Sequence, residues 1–195
     1  MHPLLRYPLF VPFSLLLLAL CGPELRAGTP ALVDDFANPA QTAHGAGRLL
    51  ITDKEAGSQS SASQRCENGV LVVQGELKPG RGAPAFISIP LLLTADARPQ
   101  DVGAYAGVRL RVKIITGTLT VQVSSADITN FDYHSAPVVA PRGEFTEVRV
   151  PFAEMKRAWS EQTALNLKLV TSVNLVAFAM APGAFAYEVD EIGFY

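Results

Sequence analysis

Residues 143–159, GEFTEVRVPFAEMKRAW, and the closing residues 184–195, AFAYEVDEIGFY, decide the fold of this chain. Over residues 146–152 of the first stretch every second side chain is β-branched or apolar, and those between are charged or proline. The first set comprises Thr146, Val148, Val150 and Phe152. This alternation predicts a strand with one buried face and one wet face. Pro151 is expected to end the strand.

A second clear strand is predicted over residues 108–114. Its apolar and basic side chains alternate, and the two sets are Val108, Leu110, Val112 and Ile114 against Arg109, Arg111 and Lys113. Residues 119–123 alternate in the same way after the turn at Thr116-Gly117. The two runs together therefore predict a hairpin.

Further β-rich runs are separated by turn residues, and long helical periodicity is missing. They lie at 49–52, 70–77, 85–92, 173–180 and 185–194. One short helix is expected over residues 153–159. The whole pattern predicts an all-β fold, a jelly-roll sandwich with one short helix.

The first residues have the pattern of a secretory signal peptide. Arg6 precedes an apolar run over residues 9–21, and this run of 13 residues is shorter than the about 20 that cross a bilayer. Ala27 offers a cleavage site. We predict a signal peptide over 1–27, an exported protein in the periplasm or outside the cell, and no stable membrane insertion after cleavage. The alternatives are an uncleaved membrane anchor and a lipoprotein modified at Cys21.

Residues 28–195 are expected to form a single domain. They hold 14 basic and 17 acidic residues, a small net charge that gives no strong field for nucleic acid or an anionic membrane. Nucleic acid is therefore not predicted as a partner. Cys66 is the one cysteine in this part, so no intramolecular disulfide can form there. A buried, inert thiol is the common state of such a residue, and a reactive thiol is the alternative.

Short motifs in a fixed order along the chain carry a family resemblance. They are Asp53, Gly57 and Ser60, then Asn68–Leu71 with Gly75–Leu77, Gly82–Ser88, Asp101–Tyr105, Gly107–Val112, Val148–Phe152 and Gly183–Ile192. In this order they resemble the complex I intermediate-associated protein 30 family. Its domain is similar to galactose-binding-like sandwiches and to carbohydrate-binding module family 11, so the resemblance implies that fold and a binding role. The family name implies help in assembling respiratory complex I, whereas the predicted export favours carrying over the fold and the binding alone.

The densest cluster of ligand-type side chains is NFDYH, residues 130–134. Flat rings cover the C–H face of a sugar, while carboxylate, amide and imidazole groups hydrogen-bond its hydroxyls. The predicted ligand-binding residues are Asp132, Tyr133, His134, Trp159 and Tyr105. In a continued strand Asp132 and His134 would share one face and Tyr133 the other, so a turn or bulge is needed for all three to converge. The alternative is that the rings belong to the core and the polar groups to a wet face.

Two other charged clusters have simpler interpretations. The basic stripe of Arg109, Arg111 and Lys113 could meet an acidic glycan, but a solvated sheet face alternates in the same way. Asp34-Asp35 and Asp190-Glu191 are similar to the paired terminal strands of carbohydrate-binding modules, where carboxylates can hold calcium. Calcium needs six to eight oxygens, and no loop spacing fixes these four carboxylates. We therefore predict no cofactor and no metal site.

No catalytic motif accompanies these features. The sequence has no Gly-x-Ser-x-Gly motif, no Cys/His metal spacing and no phosphate-binding glycine loop. The predicted function is an exported, non-catalytic binding module for a carbohydrate or a protein partner. The first alternative is an assembly or scaffold factor related to complex I assembly proteins, acting through protein contacts. A glycoside-active enzyme ranks third, because two suitably spaced carboxylates suffice for that chemistry.

Overall fold

The computed structural model describes residues 29–80 and 84–195, apart from the side chains of residues 55 and 56. The predicted signal peptide over 1–27, and Gly82 of the family motifs, lie outside the described residues. In the described part the chain forms eleven strands: β1 Leu32–Asp34, β2 Ile51–Thr52, β3 Ser61–Glu67, β4 Val70–Leu77, β5 Ala85–Leu92, β6 Gly107–Thr116, β7 Thr120–Ser125, β8 His134–Pro137, β9 Thr146–Pro151, β10 Val170–Ala179 and β11 Gly183–Phe194. Two 3-10 turns, Asp53–Ala56 and Phe152–Glu154, complete the elements.

The strands form two antiparallel sheets, which confirms the predicted all-β sandwich. One sheet has the order β3-β4-β11-β6-β9, with β1 paired to β11, and the other has the order β2-β5-β10-β7-β8. The pairing of β1 with β11 places Leu32 opposite Gly193. The first and last strands of the described chain therefore lie side by side, as the resemblance implied.

The core lies between the two sheets and is built by the alternation read from the sequence. Val108, Leu110, Val112 and Ile114 are all buried. From the opposite sheet Val121, Val123, Val173 and Leu175 are buried in the same cluster. The predicted strand over 108–114 and its inward face are therefore confirmed.

The predicted hairpin between β6 and β7 is wrong. β6 pairs with β9 and β11 in one sheet, whereas β7 pairs with β8 and β10 in the other. Gly117, with φ +77°, lies in the connection, and a Cβ added to it would approach the Cβ of Phe185 to 2.7 Å. Two strands with apolar inner faces can pack across the core as well as pair edge to edge, and alternation does not distinguish these arrangements.

The predicted helix over 153–159 is also wrong. Only the 3-10 turn Phe152–Glu154 forms, and Lys156 then pairs with Ser135 as an isolated bridge. The backbone N–H groups of Ala158 and Trp159 donate to the side chain of Asp132, so they are not available to carbonyls one helical turn back. A long-range side chain thus replaces the helical hydrogen bonds.

The outer face of the six-stranded sheet is a network of ion pairs. Arg109, Arg111 and Lys113 of β6 pair with Glu191, Asp190 and Glu188 of β11, respectively. Arg111 and Lys113 also lie over the ring of Phe145. The basic stripe is therefore matched by acids of the same chain, which favours the solvated-face interpretation over an acidic glycan.

One core residue, Tyr187, has a hydroxyl group among apolar neighbours. Its side chain is fully buried, and its hydroxyl has no hydrogen-bond partner among the described residues. Burial raises the pKa of this phenol far above its ordinary value. The hydroxyl is therefore neutral and adds a desolvation cost without a compensating bond.

Tyr187→Phe is expected to leave the melting temperature unchanged or to raise it, because an unsatisfied buried hydroxyl costs about 1 to 3 kcal/mol. The matched Tyr187→Ala should lower stability by about 3 to 5 kcal/mol through the cavity it leaves. Thermal melts of the two variants check this. A Phe variant that melts well below the wild type would show that the hydroxyl is bonded in solution.

Candidate functional site

Two loops lie together at the β8 edge of the five-stranded sheet. The first comprises residues 130–133, directly before β8, and the second comprises residues 156–163, after the second 3-10 turn; we call them the loop pair. Lys156 and Ser135 exchange two backbone hydrogen bonds of 2.9 Å each. The second loop therefore begins as a short extension of the sheet beside β8.

Asp132 joins the two loops. Its side chain is 1% exposed, and its carboxylate accepts hydrogen bonds from the backbone N–H groups of Ala158, Trp159 and Ser160 at 2.8, 3.1 and 2.6 Å. Hydrogen bonds to an ionised acceptor are stronger than those between neutral groups. One buried carboxylate thus sets the backbone path of three consecutive residues in the other loop.

Arg157 and Asn130 add further links between the loops. Arg157 donates from Nε to the backbone oxygen of Asp132 at 3.1 Å and from Nη2 to Oδ1 of Asn130 at 3.0 Å. The amide of Asn130 donates to Oγ of Ser160 at 2.9 Å. Gln162 exchanges hydrogen bonds with the backbone N–H and carbonyl of Arg157. The loop pair is therefore held by side-chain bonds in place of regular secondary structure.

The electrostatics of Asp132 follow from these contacts. Burial raises the pKa of its carboxyl, but hydrogen bonds from the Ser160 side chain and from the backbone of Ala158, Trp159 and Ser160 outweigh burial and lower the pKa below its ordinary value. Asp132 is therefore ionised at neutral pH. Because its folded pKa is depressed, its stabilisation is complete above the ordinary carboxyl pKa and is lost as the pH falls through the folded pKa.

The loop pair presents aromatic rings to solvent. Phe131 is 74% exposed and Trp159 is 71% exposed. Phe131 also has φ 62°, a left-handed backbone that a bulky residue seldom adopts. Tyr133 is half-buried and meets Phe131 edge to face, with ring centroids 6.4 Å apart. Well-anchored backbone therefore carries large rings that pack against little of the protein.

His134 supports the far end of the second loop. It is buried, and its Nε2 lies 2.7 Å from the carbonyl oxygen of Thr163. A carbonyl only accepts, so Nε2 carries the proton. Asp132 and His134 are thus buried while Tyr133 between them is half-buried. This is the division expected from strand geometry.

The structure places three of the five predicted site residues in the loop pair, Asp132, Tyr133 and Trp159, and His134 follows directly as the first residue of β8. Tyr105 lies in another neighbourhood, where it stacks on Phe194 with centroids 5.3 Å apart and donates to the carbonyl of Thr29 at 2.6 Å. The side chains of Asp132 and His134 bond to the protein itself, which gives them a positioning role. Ligand contact by Tyr133 and Trp159 stays a prediction.

Sequence reasoning missed Phe131 as an exposed ring and Arg157 as a link. The one available signal was that both lie beside residues already singled out. An open groove of about 480 Å³ also borders the second loop, with Phe152, Met155 and Leu165 among its apolar lining residues and Lys156 and Gln162 among its polar ones. The site therefore offers both rings and a neighbouring recess.

The family-motif residues Asp53 and Ser60 have a structural role. Oδ2 of Asp53 accepts from Oγ of Ser60 at 2.7 Å and from the N–H of Phe86 at 2.9 Å. Oγ of Ser60 in turn accepts from the N–H of Lys78 at 3.0 Å. This buried cluster ties the first 3-10 turn to β5 and to the end of β4.

The acidic pairs considered for calcium have other partners. Asp34 is bound by the guanidinium of Arg48, and Asp190 and Glu191 belong to the ion pairs with β6. Within residues 29–80 and 84–195, His, Cys, Asp and Glu side chains do not converge in groups of three or more as a metal site requires.

In the same part of the chain no helix has the length and apolar character to cross a membrane.

Comparisons with known proteins agree with this architecture. The family 11 carbohydrate-binding module from Clostridium thermocellum in complex with a β-1,3-1,4-mixed-linked tetrasaccharide is 13% identical, with a TM-score of 0.58 over 86% of this chain and 96% of that chain. The family 11 module of the cellulosomal cellulase Lic26A-Cel5E of Clostridium thermocellum is 12% identical, with a TM-score of 0.58 over 86% and 95%. The agarase AgWH50C is 7% identical, with a TM-score of 0.54 over 84% of this chain and 26% of that chain.

At these identities the likeness shows a shared galactose-binding-like β-sandwich. None of the curated proteins matches the sequence. The sequence profile of complex I intermediate-associated protein 30 (CIA30) matches residues 35–189, which is most of the chain and nearly all of the sandwich. The chain therefore belongs to the complex I intermediate-associated protein 30 family.

Proposed function

We propose that the protein is a non-catalytic binding module that holds a carbohydrate against the exposed rings of the loop pair. The observation that carries the proposal is the presentation of Phe131 and Trp159, 74% and 71% exposed, on backbone fixed by buried Asp132. Large exposed apolar side chains clustered beside polar groups are typical of binding surfaces. Because the backbone beneath them is already ordered, binding would cost little further conformational entropy.

The chemistry of the loop pair suits a sugar. An aromatic face covers the C–H side of a pyranose, and neighbouring amide and hydroxyl groups exchange hydrogen bonds with its hydroxyls. Asn130 and Ser160 adjoin the two rings in the sequence, and although they bond to each other, the amide of Asn130 has a second hydrogen to donate to a sugar hydroxyl. A family 11 module of the same fold is known in complex with a mixed-linked tetrasaccharide, which supports the proposal at the level of the fold.

Trp159→Ala and Phe131→Ala are each expected to weaken carbohydrate binding by about ten- to a hundredfold, because burying a large aromatic side chain contributes about 1.5 to 3 kcal/mol. Both rings are exposed in the free protein, so neither change should alter the melting temperature. Calorimetric titration with a panel of soluble oligosaccharides, beside thermal melts, checks this. Val139→Ala is the matched control, since Val139 is 80% exposed and lies outside the loop pair.

Equal affinity of the two ring variants and the wild type would contradict the proposed site. Release of new reducing ends from any of the oligosaccharides would contradict the non-catalytic part and favour a glycoside-active enzyme. If the protein binds none of the oligosaccharides, the proposed carbohydrate-binding function is wrong.

We further propose that the protein is exported and acts in the periplasm or outside the cell. The support is Arg6, the apolar run and Ala27 in the first 27 residues. The intact mass of the exported protein should correspond to residues 28–195. Recovery of the full chain from the cytosol would contradict export and strengthen the assembly-factor alternative.

A second candidate function is docking of a protein partner, as in an assembly factor. Four exposed apolar side chains favour it: Ile51, Phe178, Met180 and Val139 are 46%, 43%, 74% and 80% exposed. Ile51, in β2, and Phe178, in β10, lie on the outer face of the five-stranded sheet. The double change Phe178→Asp and Met180→Asp should abolish such a complex and leave sugar binding by the loop pair intact. Loss of sugar binding alone would argue against this second surface.

A further inference from the structure

The open groove beside the second loop has the size and lining of a small-ligand site. Its volume of about 480 Å³ falls within the about 300 to 1,000 Å³ that is usual for such sites. The lining residues come from two short segments, 152–156 and 162–167, and six of the nine are apolar. Phe152 and Met155 are buried. The apolar lining that a ligand can reach belongs to exposed or half-buried residues, which are Ala153, Ala164, Leu165 and Leu167.

The two segments are held in place in the free protein. Lys156 exchanges two backbone hydrogen bonds of 2.9 Å with Ser135 of β8. The carbonyl oxygen of Thr163 accepts a hydrogen bond of 2.7 Å from buried His134. One side of the groove is thus an extension of the sheet, and the other side is tied to the same strand. A groove that exists before the ligand arrives loses little conformational entropy on binding.

Lys156 gives this groove an unpaired positive charge. It is exposed and is the only charged residue among the nine that line the groove. None of the ion pairs in the described part of the chain includes it, whereas Nε of the neighbouring Arg157 lies 3.8 Å from Oδ2 of Asp132. The nearby Glu154 and Glu161 are exposed and do not line the groove. The groove therefore combines apolar surface with a cation that can pair with a ligand.

We propose that the groove is a second subsite of the carbohydrate site and that the ligand is an acidic glycan, with a hexuronic acid residue in the groove. This inference rests on the proposed carbohydrate function. The carboxylate pairs with Lys156, the C–H groups of the sugar pack against the apolar lining, and the hydroxyl of exposed Thr163 hydrogen-bonds the sugar. Lys156 and Trp159 are three residues apart, so their Cα atoms are at most about 11 Å apart. A short oligosaccharide can therefore lie on the indole and reach the groove.

The test uses calorimetry with the purified protein and pairs of ligands that differ only in charge. Oligogalacturonate and oligomannuronate are each compared with their fully methyl-esterified forms, which keep the sugar and the linkage and lack the carboxylate charge. The inference predicts that at least one acidic form binds about fivefold more tightly than its ester, the effect of one partly exposed ion pair. This preference should shrink between about 0.05 and 0.5 M salt, because salt screens the pair.

Lys156→Gln should abolish the difference between the acid and ester affinities, and it should melt like the wild type because Lys156 is exposed. Lys168→Gln is the matched control, since Lys168 is exposed and does not line the groove, and it should keep the preference for the acid. Ala164→Asp adds a carboxylate to the groove, so this variant should bind the acid more weakly than the ester.

Three results would overturn the inference. If the wild type binds acid and ester equally, and Trp159→Ala weakens the binding of both, the ligand is not selected by charge and the proposed function stands. If the preference for the acid persists in Lys156→Gln and Ala164→Asp, the carboxylate binds outside the groove. If the protein binds no oligosaccharide, the proposed function is wrong together with this inference.

Discussion

Val112→Asp is expected to abolish folding. Val112 is fully buried in the middle of β6, opposite Thr146 of β9 and Val189 of β11. An unpaired buried carboxylate costs several kcal/mol, a large part of the about 5 to 15 kcal/mol that stabilises a typical domain. Circular dichroism and thermal melts should show an unfolded or strongly destabilised variant.

The neighbouring Arg111→Asp is the control for strand register. The Arg111 side chain is 56% exposed and pairs with Asp190, so its replacement should change stability by only about 1 kcal/mol and keep the fold. If Arg111→Asp unfolds the protein while Val112→Asp melts normally, the assignment of Val112 to the buried face of β6 and of Arg111 to the exposed face is wrong. The sandwich built on that assignment would then also be wrong.

Asp132→Ala is expected to destabilise the protein by about 3 kcal/mol or more and to abolish carbohydrate binding. Its carboxylate accepts three backbone hydrogen bonds, and a bond to a charged group contributes about 1.5 to 3 kcal/mol. Removing it also leaves Arg157, 3.8 Å away and 11% exposed, without its carboxylate partner. Without these bonds the backbone of the second loop would no longer be held in its conformation, and Trp159 would no longer be held in position.

Three comparisons make this prediction specific. Asp127→Ala removes an exposed aspartate of the preceding segment and should melt and bind nearly as the wild type does. In the wild type the contribution of Asp132 should be complete above the ordinary carboxyl pKa of about 3.9 and should fall away at lower pH, whereas Asp132→Asn should lack this acid dependence. An Asp132→Ala variant that melts and binds normally would show that the loop pair does not depend on this carboxylate.

Individual strands could be predicted from the sequence because the alternation of inward and outward side chains is a property of each strand by itself. The buried row from Val108 to Ile114 and the outward Arg109, Arg111 and Lys113 were correctly predicted from alternation alone. The partner of each strand was not predictable in the same way. β6 and β7 both have an apolar face, and only the strand pairing seen in the structure shows that they lie in different sheets.

The candidate site was located by composition but not by geometry. NFDYH and Trp159 were selected because rings and polar groups are adjacent in sequence, and the structure brings them together. The hydrogen bond from Ala158 to Asp132 joins residues that are 26 positions apart. The sequence around residues 153–159 therefore does not show that the predicted helix is absent, and the sequence around Asp132 does not show its positioning role. Tyr105 was selected for its ring alone, and it packs against Phe194.

The most direct test of a carbohydrate site at the loop pair is a fluorescence titration of the wild-type protein with the panel of soluble oligosaccharides, mixed-linkage oligosaccharides among them. Trp159 is the sole tryptophan of the chain, so its emission reports this site without substitution. Sugar stacked on the exposed indole should shift the emission to shorter wavelength, with a saturation curve that matches the calorimetric affinity. A ligand that binds by calorimetry and leaves the emission of Trp159 unchanged would contradict a carbohydrate site at the loop pair.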